Sequence, residues 1–202
     1  MESDEGPFYK PESQGNIAAL LLMQMPPEPA FWTLVAITKN HLANYSKRNA
    51  SMLQRDGQIL QDLLKRESLI AYSHLEKLQI DPRLYTVEWF SNLYTLTLPY
   101  GTLLRIWDMF VYEGRAVIFK VAVALIKGCL GGMLVERRRF TLSQTLEILR
   151  QPPGYVVEEE SLIREVRAVV FSDDVCWQQK SAGQSLKRQA EDSGAEVDPK
   201  RQ

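Results

Sequence analysis

Apolar positions recur with a helical period through most of this chain, and the clearest stretch runs from Ile80 to Gly114. Val87, Phe90, Tyr94 and Leu98 fall three and four residues apart, which places them on one face of a helix. Pro99 cannot continue that helix but suits the first turn of another. Leu103, Ile106, Trp107 and Phe110 then repeat the pattern. Gly114 is the expected stop, because glycine tolerates the left-handed backbone that closes helices. The spacing therefore predicts two helices meeting at one proline.

Upstream, Ile17 to Met25 is a short, mostly apolar run in which leucine, alanine and methionine favour helix. Pro26-Pro27 ends it. Glu28 to Tyr45 is the next predicted helix, with Phe31, Leu34, Val35, Leu42 and Tyr45 facing inward. Asn49 or Ser51 can cap a helix that carries Leu53, Leu60, Leu63 and Leu64. Ser68 to Leu78 reads as another short helix. Beyond Gly114, Ala116 to Leu130 supplies an apolar helix ended by Gly131-Gly132. Arg137 to Arg139 marks a turn, and Thr141 can cap a helix with Leu142, Leu146 and Leu149 that Pro152-Pro153 stops. Glu158 to Val170 is the last, with glutamates in the first turn where the helix dipole favours negative charge.

No strand or internal repeat emerges, so the fold class is all-α, a layered array of about eight short helices. Residues 14–172 form the expected helical domain. Residues 1–13 lack periodicity, and 173–202 turn polar, most clearly from Gln178; both are expected to be disordered. The paired cations Lys187-Arg188 and Lys200-Arg201 read as ordinary solvated tail charges rather than a nuclear signal.

Composition changes this picture little. With 202 residues and 45% hydrophobic content, one domain with a real core fits. A net charge of −1 gives no pull toward nucleic acid. Ala116 to Val135 is nearly all apolar, but Lys120 and Lys127 fall on one helical face, so a helix with one wet stripe is expected rather than a membrane span. The acidic start lacks the apolar core of a secretory signal. Cys129 and Cys176 suggest no disulfide framework, which points to a reducing, intracellular setting. His41 and His74 lack companions at metal spacing, so no metal is expected; His74 fits a helix–helix contact. No phosphate-cradling glycine motif and no nucleophile elbow occurs, and no cofactor is expected.

One constellation goes further. Trp89-Phe90, then Leu98-Pro99, then Arg105-Ile106-Trp107-Asp108, then Glu113-Gly114 resembles, in order and spacing, the second half of a TBC domain, the module that activates Rab-type small GTPases. The resemblance is close from Ile17 to Gly131 and weaker to about Val170. It implies a partial TBC domain whose partner is a Rab-type GTPase in its GTP form, working in membrane traffic. The chain would then be an activator rather than an enzyme with its own substrate. It would be cytoplasmic and without an integral membrane segment, reaching endomembranes peripherally through the GTPase. Trp89, Phe90, Pro99, Trp107, Phe110 and Gly114 are then structural, and Arg105 with Asp108 a pair locking helices together; the alternative is that Arg105 touches the GTPase.

In the family an arginine from an upstream IxxDxxR motif and a glutamine from YxQG act on the nucleotide. An inserted guanidinium stabilises charge spread over the phosphate oxygens, worth about a thousand-fold or more in rate. These 202 residues contain no IxxDxxR. Ile59 to Lys65 comes near, but ends in lysine, which lacks the planar fork of arginine, and lies after the glutamine segment. Gln14 is the candidate glutamine finger, since Gln14-Gly15 matches the QG pair. Glu12 stands where the tyrosine belongs, and about two residues are missing before the apolar run. Two residues are about 200° of helix rotation, so Gln14 and Ile17 do not both keep their family places. Weak or absent intrinsic activity is the expectation. A non-catalytic Rab-binding scaffold and a truncated, unstable product are the alternatives.

Overall fold

The computed structural model describes residues 12–42, 50–132 and 140–171. The chain divides into two units, Met1–Val170 and Phe171–Gln202, and the helical architecture belongs to the first. Among the described residues there are ten α-helices and no strand, in line with an all-α fold and slightly more than the eight helices expected. They are α1 (Glu12–Gln24), α2 (Pro27–Ile37), α3 (Ala50–Glu67), α4 (Leu69–Lys77), α5 (Arg83–Asn92), α6 (Tyr100–Glu113), α7 (Ala116–Leu130), α8 (Leu142–Arg150), α9 (Gly154–Val157) and α10 (Glu159–Ala168). A π-helical turn, Thr38–Leu42, follows α2.

The core is built around α7. Its side chains from Val117 to Ile126, apart from Lys120, are buried, because α3, α4, α6, α8, α9 and α10 all pack on it. That surround explains the long apolar run; no helix of the described residues is long and apolar enough to cross a membrane. The expected wet stripe carries ion pairs: Lys120 to Glu113 at 2.8 Å and Lys127 to Glu165 at 2.9 Å. Gly128 has a packing role, since a Cβ there would lie 2.7 Å from a methyl of Val156. Its bare backbone lets α9 approach α7.

Several boundaries follow local chemistry. Pro26 and Pro99 precede α2 and α6. Gly114, with φ of 75°, closes α6 and donates its N–H to the Phe110 carbonyl. Thr141 and Gln144 form a reciprocal capping box at α8. Ser68 caps α4 through the Ala71 N–H, and Glu158 accepts from the N–H groups of Glu160 and Ser161. His74 sits between helices, 2.9 Å from the Thr145 hydroxyl.

Three expectations need correction. The helix before Pro99 ends at Asn92, not at Leu98. Leu93 and Tyr94 are left-handed, with φ of 48° and 64°, and the chain turns there. Each such residue costs about 1–2 kcal/mol, and burial of both side chains offsets it. Second, the helix predicted over Glu28 to Tyr45 changes to a π turn after Ile37. Its buried stripe is Ala30 and Ile37, while Phe31, one position round, is 57% exposed beside Trp32 at 61%. The two rings meet edge to face at 5.2 Å. Third, Leu142 is exposed and Leu146 only half-buried; α8 buries the expected Leu149 together with Thr145. The roles expected of Tyr45, Asn49 and Arg137 to Arg139 lie outside the described residues, as do the Ser51 side chain and residues 1–11 and 172–202.

Candidate functional site

The motif residues of α5 and α6 converge on α7. Trp89 and Phe90 are buried, with Phe90 edge-on to Phe119 at 5.2 Å and Trp89 beside Tyr94 at 5.9 Å. The left-handed turn directs Tyr94 inward, and its hydroxyl donates to the Ile118 carbonyl at 2.6 Å. Trp107 is buried against Phe110, and its indole N–H donates to the Leu93 carbonyl at 3.2 Å. Thr102 ties α6 to α9 by donating to the Val157 carbonyl at 2.9 Å. These bonds join α5, the turn, α6, α7 and α9 into one aromatic hub.

Arg105 and Asp108 are not paired with each other. Arg105 reaches Glu159 in the first turn of α10 at 3.5 Å, with both side chains about half exposed. Helical spacing of three allows an Arg–Asp contact, but Arg105 points across to α10 while exposed Asp108 borders a groove on another side of α6. Arg105 does join two helices, through a partner other than the expected one. At this exposure the pair contributes about 0–1 kcal/mol.

Gln14 is exposed in the first turns of α1. Two residues on, Asn16 donates its amide to Asn92 at 3.0 Å, fixing α1 to the end of α5. Ile17 is fully buried, so α1 is registered by Ile17, Leu20 and Leu21 and presents Gln14 outward. In the motif look-alike of α3, Asp62 and Lys65 face solvent, and Lys65 lies over the Tyr72 ring at 5.6 Å.

A buried ion pair escaped the sequence reading. Arg115, directly after Gly114, pairs with Asp56 of α3, whose side chain is 2% exposed. The available signal was Asp56 itself, an acid four residues before Leu60 and hence on the apolar face of α3. Arg115 also lies over the Phe119 ring at 5.7 Å. His41 packs edge-on against Phe110 at 4.7 Å. Burial, and then the Arg115 charge, hold its pKa below the ordinary value. Burial likewise pushes the Cys129 thiol up to about 12. Among the described residues no group of three or more His, Cys, Asp or Glu could hold a metal ion.

A groove of about 420 Å³ opens between α1, α2 with its π turn, and α6. Leu20, Leu21, Ile37, Leu104 and Trp107 form its apolar walls.

The model of the Rab-GTPase-TBC domain family matches residues 12–130, which run from the start of α1 through the hub to the end of α7. The chain belongs to that family. It is 37% identical over 192 residues to TBC1 domain family member 10B of Mus musculus, covering 93% of this chain and 24% of that protein. It is 38% identical over 190 residues to TBC1 domain family member whacked of Drosophila melanogaster, covering 91% of this chain and 52% of that one. Carabin of Mus musculus is 39% identical over 179 residues, which is 85% of this chain and 40% of Carabin. The chain thus spans between about a quarter and about a half of the length of these relatives. In this TBC chain the hub occupies the middle and end of the matched region, and Gln14 lies at its beginning.

Proposed function

We propose that this chain is a Rab-directed GTPase-activating module, or a piece of one. It engages a Rab-type GTPase in the GTP form and accelerates hydrolysis weakly or not at all by itself. The observation that carries this is the family match across residues 12–130, which includes the α5, α6 and α7 parts of the aromatic hub. The weak rate follows from chemistry: no IxxDxxR arginine stands in these 202 residues, and Lys65 on the outer face of α3 cannot make a bidentate clamp on phosphate. Its work is regulation of another protein's reaction in membrane traffic. It is a cytoplasmic protein held peripherally at endomembranes by the GTPase it engages. Arg105, half exposed on α6, is the candidate contact to that GTPase, and Gln14, exposed on α1, the candidate glutamine finger.

Retention of Rab proteins on the immobilised chain tests the reading. GTP-loaded Rab proteins are expected to be retained and GDP-loaded ones released; no retention of any loaded Rab would overturn it. Binding with unchanged hydrolysis is the signature of a non-catalytic scaffold, a reading favoured by Glu12 in the tyrosine place of YxQG. A third reading, an unstable product, draws on exposed Met23, Phe31 and Trp32 along α1 and α2. It requires an uncooperative thermal transition with dye binding, and a sharp single transition in a monomer would remove it.

A further inference from the structure

The groove between α1, α2 and α6 has a chemistry of its own. Its α6 side runs from Leu104 to Val111 and its α1 side from Leu20 to Met25. The first is about two helical turns, about 10 Å, and the second about one and a half, about 8 Å. A volume of about 420 Å³ falls in the range of sites that hold ligands, and an open groove walled by helices suits one face of a short helix. Val111, at the edge, is 76% exposed. The lining is apolar except for neutral Gln24, Thr33 and Asn40, together with His41 and Asp108. Burial, and then the Arg115 charge, lower the pKa of His41. Among the described residues, Asp108 is the one acidic side chain lining the groove, and no lysine or arginine lines it. It is exposed at the margin, and the nearby Arg105 is engaged with Glu159.

We propose that this groove docks a short basic amphipathic helix of a partner protein, with apolar side chains against Ile37, Leu104 and Trp107 and a lysine or arginine on Asp108. Charge selects the occupant. An acidic helix of the same apolar pattern would bring like charges together at Asp108, and anionic lipid would be repelled from the same margin. The proposal goes beyond Rab engagement and does not rest on it.

The test uses the full 202-residue chain and two fluorescein-labelled peptides of about 15 residues, near the length at which isolated helices become marginal in water. Both carry leucine at the same helical spacing, one with lysine and one with glutamate elsewhere. Fluorescence anisotropy is expected to show the lysine peptide binding about ten-fold more tightly than the glutamate peptide, since attraction to Asp108 in the one and repulsion from it in the other add in the comparison. Asp108→Lys should abolish or reverse the preference, Asp108→Asn should reduce it, and Trp32→Gln, on the exposed face of α2 outside the groove, should leave it intact. Far-UV circular dichroism confirms that each variant is folded. Equal binding of the two peptides, no binding of either, or a preference unchanged in both Asp108 variants would overturn the proposal. So would loss of binding in Trp32→Gln alone, which would place the contact on the Phe31–Trp32 face.

Discussion

Replacing Trp107 with phenylalanine should be far more damaging than removing the hydroxyl of Tyr94, although each change deletes one buried hydrogen bond donor. Leu93, which accepts from the Trp107 indole at 3.2 Å, is the left-handed cap of α5. Its carbonyl lies in the turn, outside the helical ladder, so Trp107→Phe strands a buried acceptor. That costs about 1–3 kcal/mol, and the smaller ring adds about 1 kcal/mol of lost apolar contact. The sum is about 2–4 kcal/mol. Tyr94 donates to Ile118 at 2.6 Å, but Ile118 lies inside α7, where its carbonyl also accepts from the N–H four residues on. Tyr94→Phe should therefore cost only about 1 kcal/mol. Equilibrium urea unfolding, followed by far-UV circular dichroism, gives both values at an unchanged denaturant slope. Equal costs, or a Trp107→Phe cost below about 1 kcal/mol, would refute the account of the hub as a structure organised by the Leu93 turn.

Three further outcomes are expected. Gln79 is exposed, has φ of 50° and closes α4, with its N–H on the Glu76 carbonyl and the Ile80 N–H on Leu75. Gln79→Gly should raise stability by about 0.5–1 kcal/mol, the left-handed penalty less the chain entropy of glycine, and so raise Tm by about 1–4 °C; an unchanged or lower Tm counts against it. His41 and His74 both have pKa values held below 6.5, mainly by burial. The unfolded chain then binds more protons just below that value. The stability they contribute is full above pH 6.5 and is lost as pH falls through the window beneath it. Urea titrations should show that loss, smaller in His41→Phe, and a flat profile would contradict it. Cys129, buried and with its thiol pushed up to about 12, should resist iodoacetamide at about pH 8 while folded and react once unfolded, read by peptide mass spectrometry. Rapid native labelling would contradict its burial.

Much of this architecture was legible because breakers and caps act locally. Pro26, Pro99, Gly114 and Thr141 mark boundaries through their own backbone or side-chain chemistry, and the structure places helix ends beside each. The apolar run of α7 foretold a helix, and its two lysines showed where polar partners lie. What stayed hidden was decided by tertiary contacts. Leu93 and Tyr94 carry no turn signal; they are held left-handed because Trp107 and Ile118 bind them from other elements. Phe31 continues an apolar pattern, yet packing of α2 on α1 selects the Ala30–Ile37 stripe. Arg105 could have met Asp108 by spacing alone, but α10 brings Glu159 close enough to take it. The order of the motif residues pointed to the family, whereas the Asp56–Arg115 pair and the groove required the packing of distant helices.

Single-turnover GTP hydrolysis by a panel of GTP-loaded Rab proteins, with and without the folded chain, distinguishes engagement alone from catalysis. Acceleration below about ten-fold is predicted, less than about 1.4 kcal/mol of barrier, because engagement is expected without an arginine finger from these 202 residues. Acceleration approaching a thousand-fold, about the scale of an inserted guanidinium, would contradict it and show that this chain brings its own charge to the transferring phosphate.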